Sequence, residues 1–261
     1  MVLVINNLIF FNEMRFNLQS PRELELFENI ECVQKKCLRT KEDIEVSLGV
    51  ISKTRQRKLS YQNINVSAGL NLVGENELPE VLPYVGEIPE MLTPYTMKDT
   101  GYTYGALHFF IDDYRFTGMF LWGNLAHFTK QVSRYKIVIA PDFSLYLDQS
   151  RTLNLFQLYQ NRVVTAYWQK QGLNVIPSVS WGNADSFKYC FDGLPQNSVL
   201  ALGGLGNAHH QSMIELWEYG VHQTIERLRP KALIIYGAPK QLDLPVETHY
   251  FKGFINTKFR S

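Results

Sequence analysis

In the stretch KIVIAPDFSLYLDQ (136–149), a β-branched apolar run ends at Pro141. Asp142 follows at once, and Ser144 comes two residues later. A carboxylate at such an end can give or take a proton, or bind a divalent cation through oxygen. Other apolar runs end in comparable groups. ALHFFIDD (106–113) closes on Asp112 and Asp113, and SVSWGN (178–183) presents Ser180, Trp181 and Asn183. ALGGLG (201–206) carries Gly203, Gly204 and Gly206, and LIIYG (233–237) ends on Tyr236 and Gly237. Asp112 and Asp142 form the candidate acid/base or cation-binding pair. Ser144, Ser180 and Trp181 are candidate ligand contacts. Gly204 and Gly206, just before a helix start at His209 and His210, form a candidate anion contact.

Structural roles compete with each of these. Asp148 and Asp185 precede helical stretches and read as N-caps. Asp142 lies too far from the next helix to cap it, although a turn could use its side chain. Trp181 could stack on a planar or sugar ligand, or close the core. His209 and His210 cannot share one helix face, so of the two only a single histidine could join the aspartates on a metal. His249 falls in the last strand.

The dinucleotide fingerprint fails on two counts. Its third glycine position is His209, and no acidic residue ends LIIYG, so a nicotinamide cofactor is not expected. G-x-S-x-G, H-E-x-x-H and P-loop motifs are absent. Cys32, Cys37 and Cys190 form no C-x-x-C pair, which argues against a structural zinc site or a disulfide framework and favours a reducing cytoplasm. Metal and cofactor stay open.

The positioning elements have a βα rhythm. Strands are expected over 104–112, 136–142, 174–181, 198–204 and 231–237, with a last one over 246–253. Helices are expected over 122–135, 151–172, 209–228 and, shorter, 184–191. Leu153, Phe156, Tyr159, Val163 and Tyr167 recur at helical spacing and suit a helix lying on a sheet. Short, uniformly apolar strands that alternate with helices specify a parallel sheet buried on both faces. The fold class is therefore α/β, with the sheet open or forming a partial barrel, and a complete barrel ranks second. In either case ligands gather at the carboxyl ends of the strands, where the loops converge. Residues 78–95 carry four prolines, which exclude regular helix; they read as a lead-in segment wrapping the domain.

Composition sets outer limits. The 261 residues are 45% hydrophobic and 20% charged, enough for a sizeable core. Twenty-six Lys and Arg balance 25 Asp and Glu, so no strong nucleic-acid signal exists; KTRQRK (53–58) is the one basic cluster. The opening MVLVINNLIFFNEMRF lacks a basic n-region and is broken by Asn6 and Asn7, so no membrane segment is expected. Residues 1–60, charged and helix-compatible or irregular, read as an N-terminal extension to an α/β domain over 61–261.

The block from Tyr135 to Pro195 also carries a resemblance. Its PDFSLY turn, its AYWQKQGLNVIPSVSW helix-to-strand passage and the FDGLP after them resemble domain-of-unknown-function family 4417, over about residues 65–240. The resemblance implies a bacterial, phage or mobile-element protein and brings no catalytic residue with it. Two functions are consistent with these residues. The first is an α/β enzyme acting on a small polar or phosphorylated substrate at the strand ends. The alternative is a non-catalytic binding or regulatory protein of a mobile genetic element. A small-molecule ligand is the candidate partner; no protein partner can be read from the residues.

Overall fold

A computed structural model describes residues 63–67, 69–96, 104–117, 121–204 and 210–253. All of them fall in the unit Lys58–Ser261. The expected extension over 1–60, with its basic cluster, Cys32 and Cys37, lies outside the described residues, as do Gly206 and His209.

A short helix α1 (Ile64–Ser67) leads into an antiparallel pair, β1 (Leu72–Val73) and β2 (Leu78–Pro79). Then come β3 (Leu92–Pro94), β4 (Ala106–His108), a 3₁₀ turn (Asp113–Arg115), α2 (Leu125–Val132), β5 (Ile137–Ile139) and α3 (Arg151–Lys170). Next are β6 (Val175–Ile176), β7 (Ser178–Val179), a second 3₁₀ turn (Ala184–Lys188) and β8 (Val199–Gly203). The order closes with α4 (Gln211–Leu228), β9 (Ala232–Tyr236) and β10 (Glu247–Phe251).

β3, β4, β5 and β6 pair in that order, as do β7, β8, β9 and β10, and every one of these pairings is parallel. Only Pro177 separates β6 from β7. Lacking an N–H, it interrupts the ladder, so the first half of this run pairs with β5 and the second half with β8. The two sheets thus share one broken strand, and the parallel strands keep chain order throughout.

This order decides between an open sheet and a curled one. His108 at the end of β4 and Tyr236 at the end of β9 are four strand steps apart. In a flat sheet that is about 19 Å. Their rings lie 4.3 Å apart, centroid to centroid. The strands therefore curl around a common interior, as in a partial barrel. Alternate residues point into it: Ala106, Ile137, Ile139, Ile176, Val199, Ala201, Ala232 and Ile234 form one buried cluster. Their neighbours point outward, Leu107 and Val138 against Phe128 and Trp168 of α2 and α3, and Leu200 and Leu233 against Trp217 and Val221 of α4. Burying each of these large side chains contributes about 1.5–3 kcal/mol.

The proline-rich segment is more than a lead-in. Tyr84 lies against the strand starts, its N–H donating to Ser198 Oγ (2.9 Å) and its carbonyl accepting from Val199 N–H (3.1 Å). The segment then forms β3, a strand that the sequence does not announce. Pro94 is tolerated there because β3 is an edge strand. The expected helix over 184–191 is a 3₁₀ turn ending at Lys188.

Two details of helix placement are also corrected. Ser150 caps α3 by accepting from Leu153 N–H, and Asn183 caps the second 3₁₀ turn by accepting from Ser186 N–H. Asp148 and Asp185 cap neither; Asp185 instead pairs with Lys188. Of the apolar stripe expected on α3, Val163 is buried and Tyr159 and Tyr167 pack against the core, while its first two residues turn outward. Leu153 and Phe156 are 37% and 39% exposed, whereas Asn154, Asn161, Arg162 and Thr165 are buried.

Candidate active site at the strand ends

β5 keeps its register through Ala140, whose N–H donates to Ile176 O (2.9 Å). Pro141 has no donor, and its carbonyl is taken by Asn161 Nδ2 of α3 (2.6 Å). Asp142 therefore leaves the sheet, as expected of a residue after a strand-ending proline.

The residue as a whole is half-buried. Oδ1 is sealed and has no hydrogen-bond partner among the described residues. Oδ2 lies beside Gly203 at the end of β8, 3.0 Å from where a Cβ would stand, a close approach that glycine leaves room for. Burial, and then the charge of Asp113, push the Asp142 pKa up from 3.8 to about 7, against an opposing hydrogen bond with Ser180. Asp142 is thus partly protonated at neutral pH.

Asp113 is the second carboxylate. It accepts from Ser144 N–H (3.0 Å) and Ser144 Oγ (2.9 Å). Burial raises its pKa, the two Ser144 bonds lower it, and Asp112 raises it slightly further. Replacing Ser144 by alanine should raise the Asp113 pKa again, read as an upward shift of its carboxyl ¹³C titration.

The adjacent Asp112 faces out. It precedes the 3₁₀ turn, its side chain is 61% exposed, and it pairs with Arg115 at 3.2 Å. Neighbouring residues at a turn face opposite ways, and the i, i+3 spacing to Arg115 was the available sign of which one faces solvent.

The other sequence candidates divide. Ser144 and Ser180 stand on Asp113 and Asp142 respectively. Trp181 lies on the helix side of the strands, packed against Phe187 and seated on Gly220 of α4. A Cβ at Gly220 would overlap the indole. Gly220→Ala is therefore expected to cost about 2 kcal/mol by thermal melting, because overpacking outweighs the helix-propensity gain. With Trp181→Ala in the background the same change should become neutral or stabilising. Gly204 donates its N–H to Tyr236 O (2.7 Å), and a Cβ there would overlap Gly237 O. Its donor is occupied within the sheet. His210 stands at the N-cap of α4 without a side-chain cap bond, and His249 pairs with Glu247.

His108 was missed. It shares the inward parity of Ala106 and is wholly buried, its ring against Phe110 and Tyr236, which stack on each other with an interplanar angle of 13°. Nδ1 accepts from Phe110 N–H at 3.2 Å, which assigns the proton of the neutral ring to Nε2. Nε2 has no partner among the described residues. Burial pulls the His108 pKa down to about 4, so the ring is neutral at pH 7. A polar atom buried without a partner costs about 1–3 kcal/mol, and such atoms call for an explanation by water, ligand or chemistry. Among the described residues, His108 Nε2 and Asp142 Oδ1 are the two.

α3 fastens the loop that carries Asp142. Asn154 accepts from Tyr146 N–H and donates to Tyr146 O, at 3.0 and 2.9 Å. Asn161 holds Pro141 O and Ser178 Oγ, and its own oxygen is held by Arg162. Arg162 is fully buried and donates further to the carbonyls of Asp192 (3.0 Å) and Cys190 (2.8 Å). Cys190 is buried and its thiol is pushed up to about 12, so it is inert as a nucleophile. Among the described residues no three His, Cys, Asp or Glu side chains assemble into a metal-ligand set. No helix of the described residues is long and apolar enough to cross a membrane.

Residues 71–251 match the profile of the domain of unknown function DUF4417. The chain belongs to the DUF4417 family. The matched span runs from just before β1 to the end of β10 and contains every residue of the site. Two phage proteins are similar to this chain. The Gene 1 protein of Mycobacterium phage L5 is 34% identical over 181 residues, covering 67% of this chain and 78% of the phage protein. The Gene 1 protein of Mycobacterium phage D29 is 32% identical over 171 residues, covering 64% of this chain; the chain spans only 62% of that relative. No solved structure matches this DUF4417 chain.

Proposed function

We propose that this phage-type DUF4417 protein is an enzyme that performs acid–base chemistry on a small polar substrate at the carboxyl ends of its barrel strands, in the cytoplasm. One observation carries the reading: Asp142, beside a second carboxylate, holds an unpartnered buried oxygen and a pKa near neutrality. Carboxyls so placed can protonate a leaving group or abstract a proton at pH 7, because both of their protonation states are populated. Asp113 raises the Asp142 pKa by its charge, and Ser180 opposes that rise. His108 offers a neutral N–H donor to a substrate oxygen. The role given to Asp112 on the sequence passes to Asp113, which faces inward.

The full chain, incubated with a bacterial metabolite extract and monitored by mass spectrometry, should deplete at least one small polar compound. Asp142→Asn should slow that loss by about 10² to 10⁴-fold. If no compound changes in an Asp142-dependent way, the acid–base reading fails and a binding or regulatory role takes its place.

A further inference from the structure

The two unpartnered buried atoms come from neighbouring strands, His108 Nε2 from the end of β4 and Asp142 Oδ1 from just beyond β5. Elsewhere in the same barrel even Arg162, an entirely buried cation, has its donors satisfied by carbonyl and amide oxygens. Among the described residues the unmet side-chain polar demand is confined to one end of the barrel. Phe110 joins the two groups. Its ring edge and Asp142 Oδ2 stand 3.2 and 3.0 Å from the same point above Gly203, and its face lies against His108.

These atoms define what would satisfy them. His108 Nε2 is a donor, since Nδ1 is already accepting, so it needs an oxygen. Asp142 Oδ1 can accept a hydroxyl hydrogen, or donate when protonated. A phosphate would face two carboxyl groups, Asp142 and Asp113, with no cation among the charges acting on either. A metal ion would face an N–H donor. The Phe110 and Tyr236 rings, stacked on each other and packed on His108, wall the two atoms with apolar surface that brings no counter-charge for an ionic ligand.

We infer that the His108–Asp142 end of the barrel binds an uncharged, sugar-like polyhydroxy or hydroxycarbonyl compound, with one oxygen on His108 Nε2 and a hydroxyl on Asp142 Oδ1. This rests on reading the strand ends as the site, and it narrows the substrate class.

The test uses the full chain labelled with ¹⁵N-histidine, at pH 7, titrated with ribose, xylose, glucose and mannose and, in parallel, with ribose 5-phosphate. At least one uncharged sugar should shift the His108 Nε2 resonance saturably, and ribose 5-phosphate should bind at least tenfold more weakly than ribose or not at all. His108→Phe, which keeps a ring in place, should abolish the binding. Asp142→Asn, whose folding does not depend on that ring, should weaken it several-fold. Tighter binding of ribose 5-phosphate would overturn the inference in favour of an anion site. No saturable shift with any of the four sugars would mean that water alone satisfies these atoms. An Asp142-dependent loss of a phosphorylated metabolite would sink this inference while leaving the acid–base reading intact.

Discussion

Asp142→Asn is expected to make the protein more stable at pH 8 and to remove its turnover. The folded-state pKa of Asp142, about 7, lies above the ordinary 3.8. Between these values the folded protein holds more protons than the unfolded chain, so stability falls as pH rises from about 4 through 7. Above 7 the folded protein bears the whole cost of a buried charge, up to about 4 kcal/mol at about 1.4 kcal/mol per pH unit. Asparagine escapes that cost but brings an amide donor that needs a partner, a loss of about 1–2 kcal/mol. The net gain at pH 8 should be about 2 kcal/mol, seen as a Tm rise of about 4–8 °C for a domain of this size. At pH 4 the gain should vanish. A variant that melts lower at pH 8 while function survives would make Asp142 a structural turn residue.

The opposite effect is expected at Arg162. Its guanidinium is fully buried, and burial pulls its pKa down to about 10, against the nearby Cys190 and Asp192. It remains charged at neutral pH, and it makes no carboxylate pair among the described residues. Arg162→Met keeps the length and the apolar stem but strands three acceptors: Asn161 Oδ1 and the carbonyls of Cys190 and Asp192. At about 1–3 kcal/mol for each buried unsatisfied group, offset by removal of the buried charge, the expected cost is about 3–5 kcal/mol in urea unfolding. Because Asn161 also holds Pro141 O, the change should disturb Asp142. Loss of the elevated Asp142 titration in a still-folded variant would show that coupling, and an unchanged titration would show that Arg162 acts on stability alone.

The strands were legible because strands buried on both faces must be apolar for their whole length, and runs such as KALIIYG and SVLALGG leave little choice. β3 was not legible. Its short run carries Pro94, and only the edge position reconciles a proline with pairing. α3 misled in a different way. Its large apolar residues suggested one buried stripe, but Asn154, Asn161 and Arg162 face inward because loop carbonyls and amides need partners there. At the site, Asp142, Ser144 and Ser180 could be found from their places just past the strand ends. His108 could not, since a histidine inside ALHFF looks like a core residue until its inward parity and its open Nε2 are known. Between Asp112 and Asp113 nothing but the Arg115 spacing distinguished the outward residue from the inward one.

The most direct measurement is the carboxyl ¹³C titration of Asp142 in the full-length protein from pH 3 to pH 9. A midpoint near 7 that falls in Asp113→Asn is the expected result, because burial and the neighbouring carboxylate both raise it. A midpoint at the ordinary value near 4, unmoved by Asp113→Asn, would contradict the central claim that Asp142 is a proton carrier poised at neutral pH.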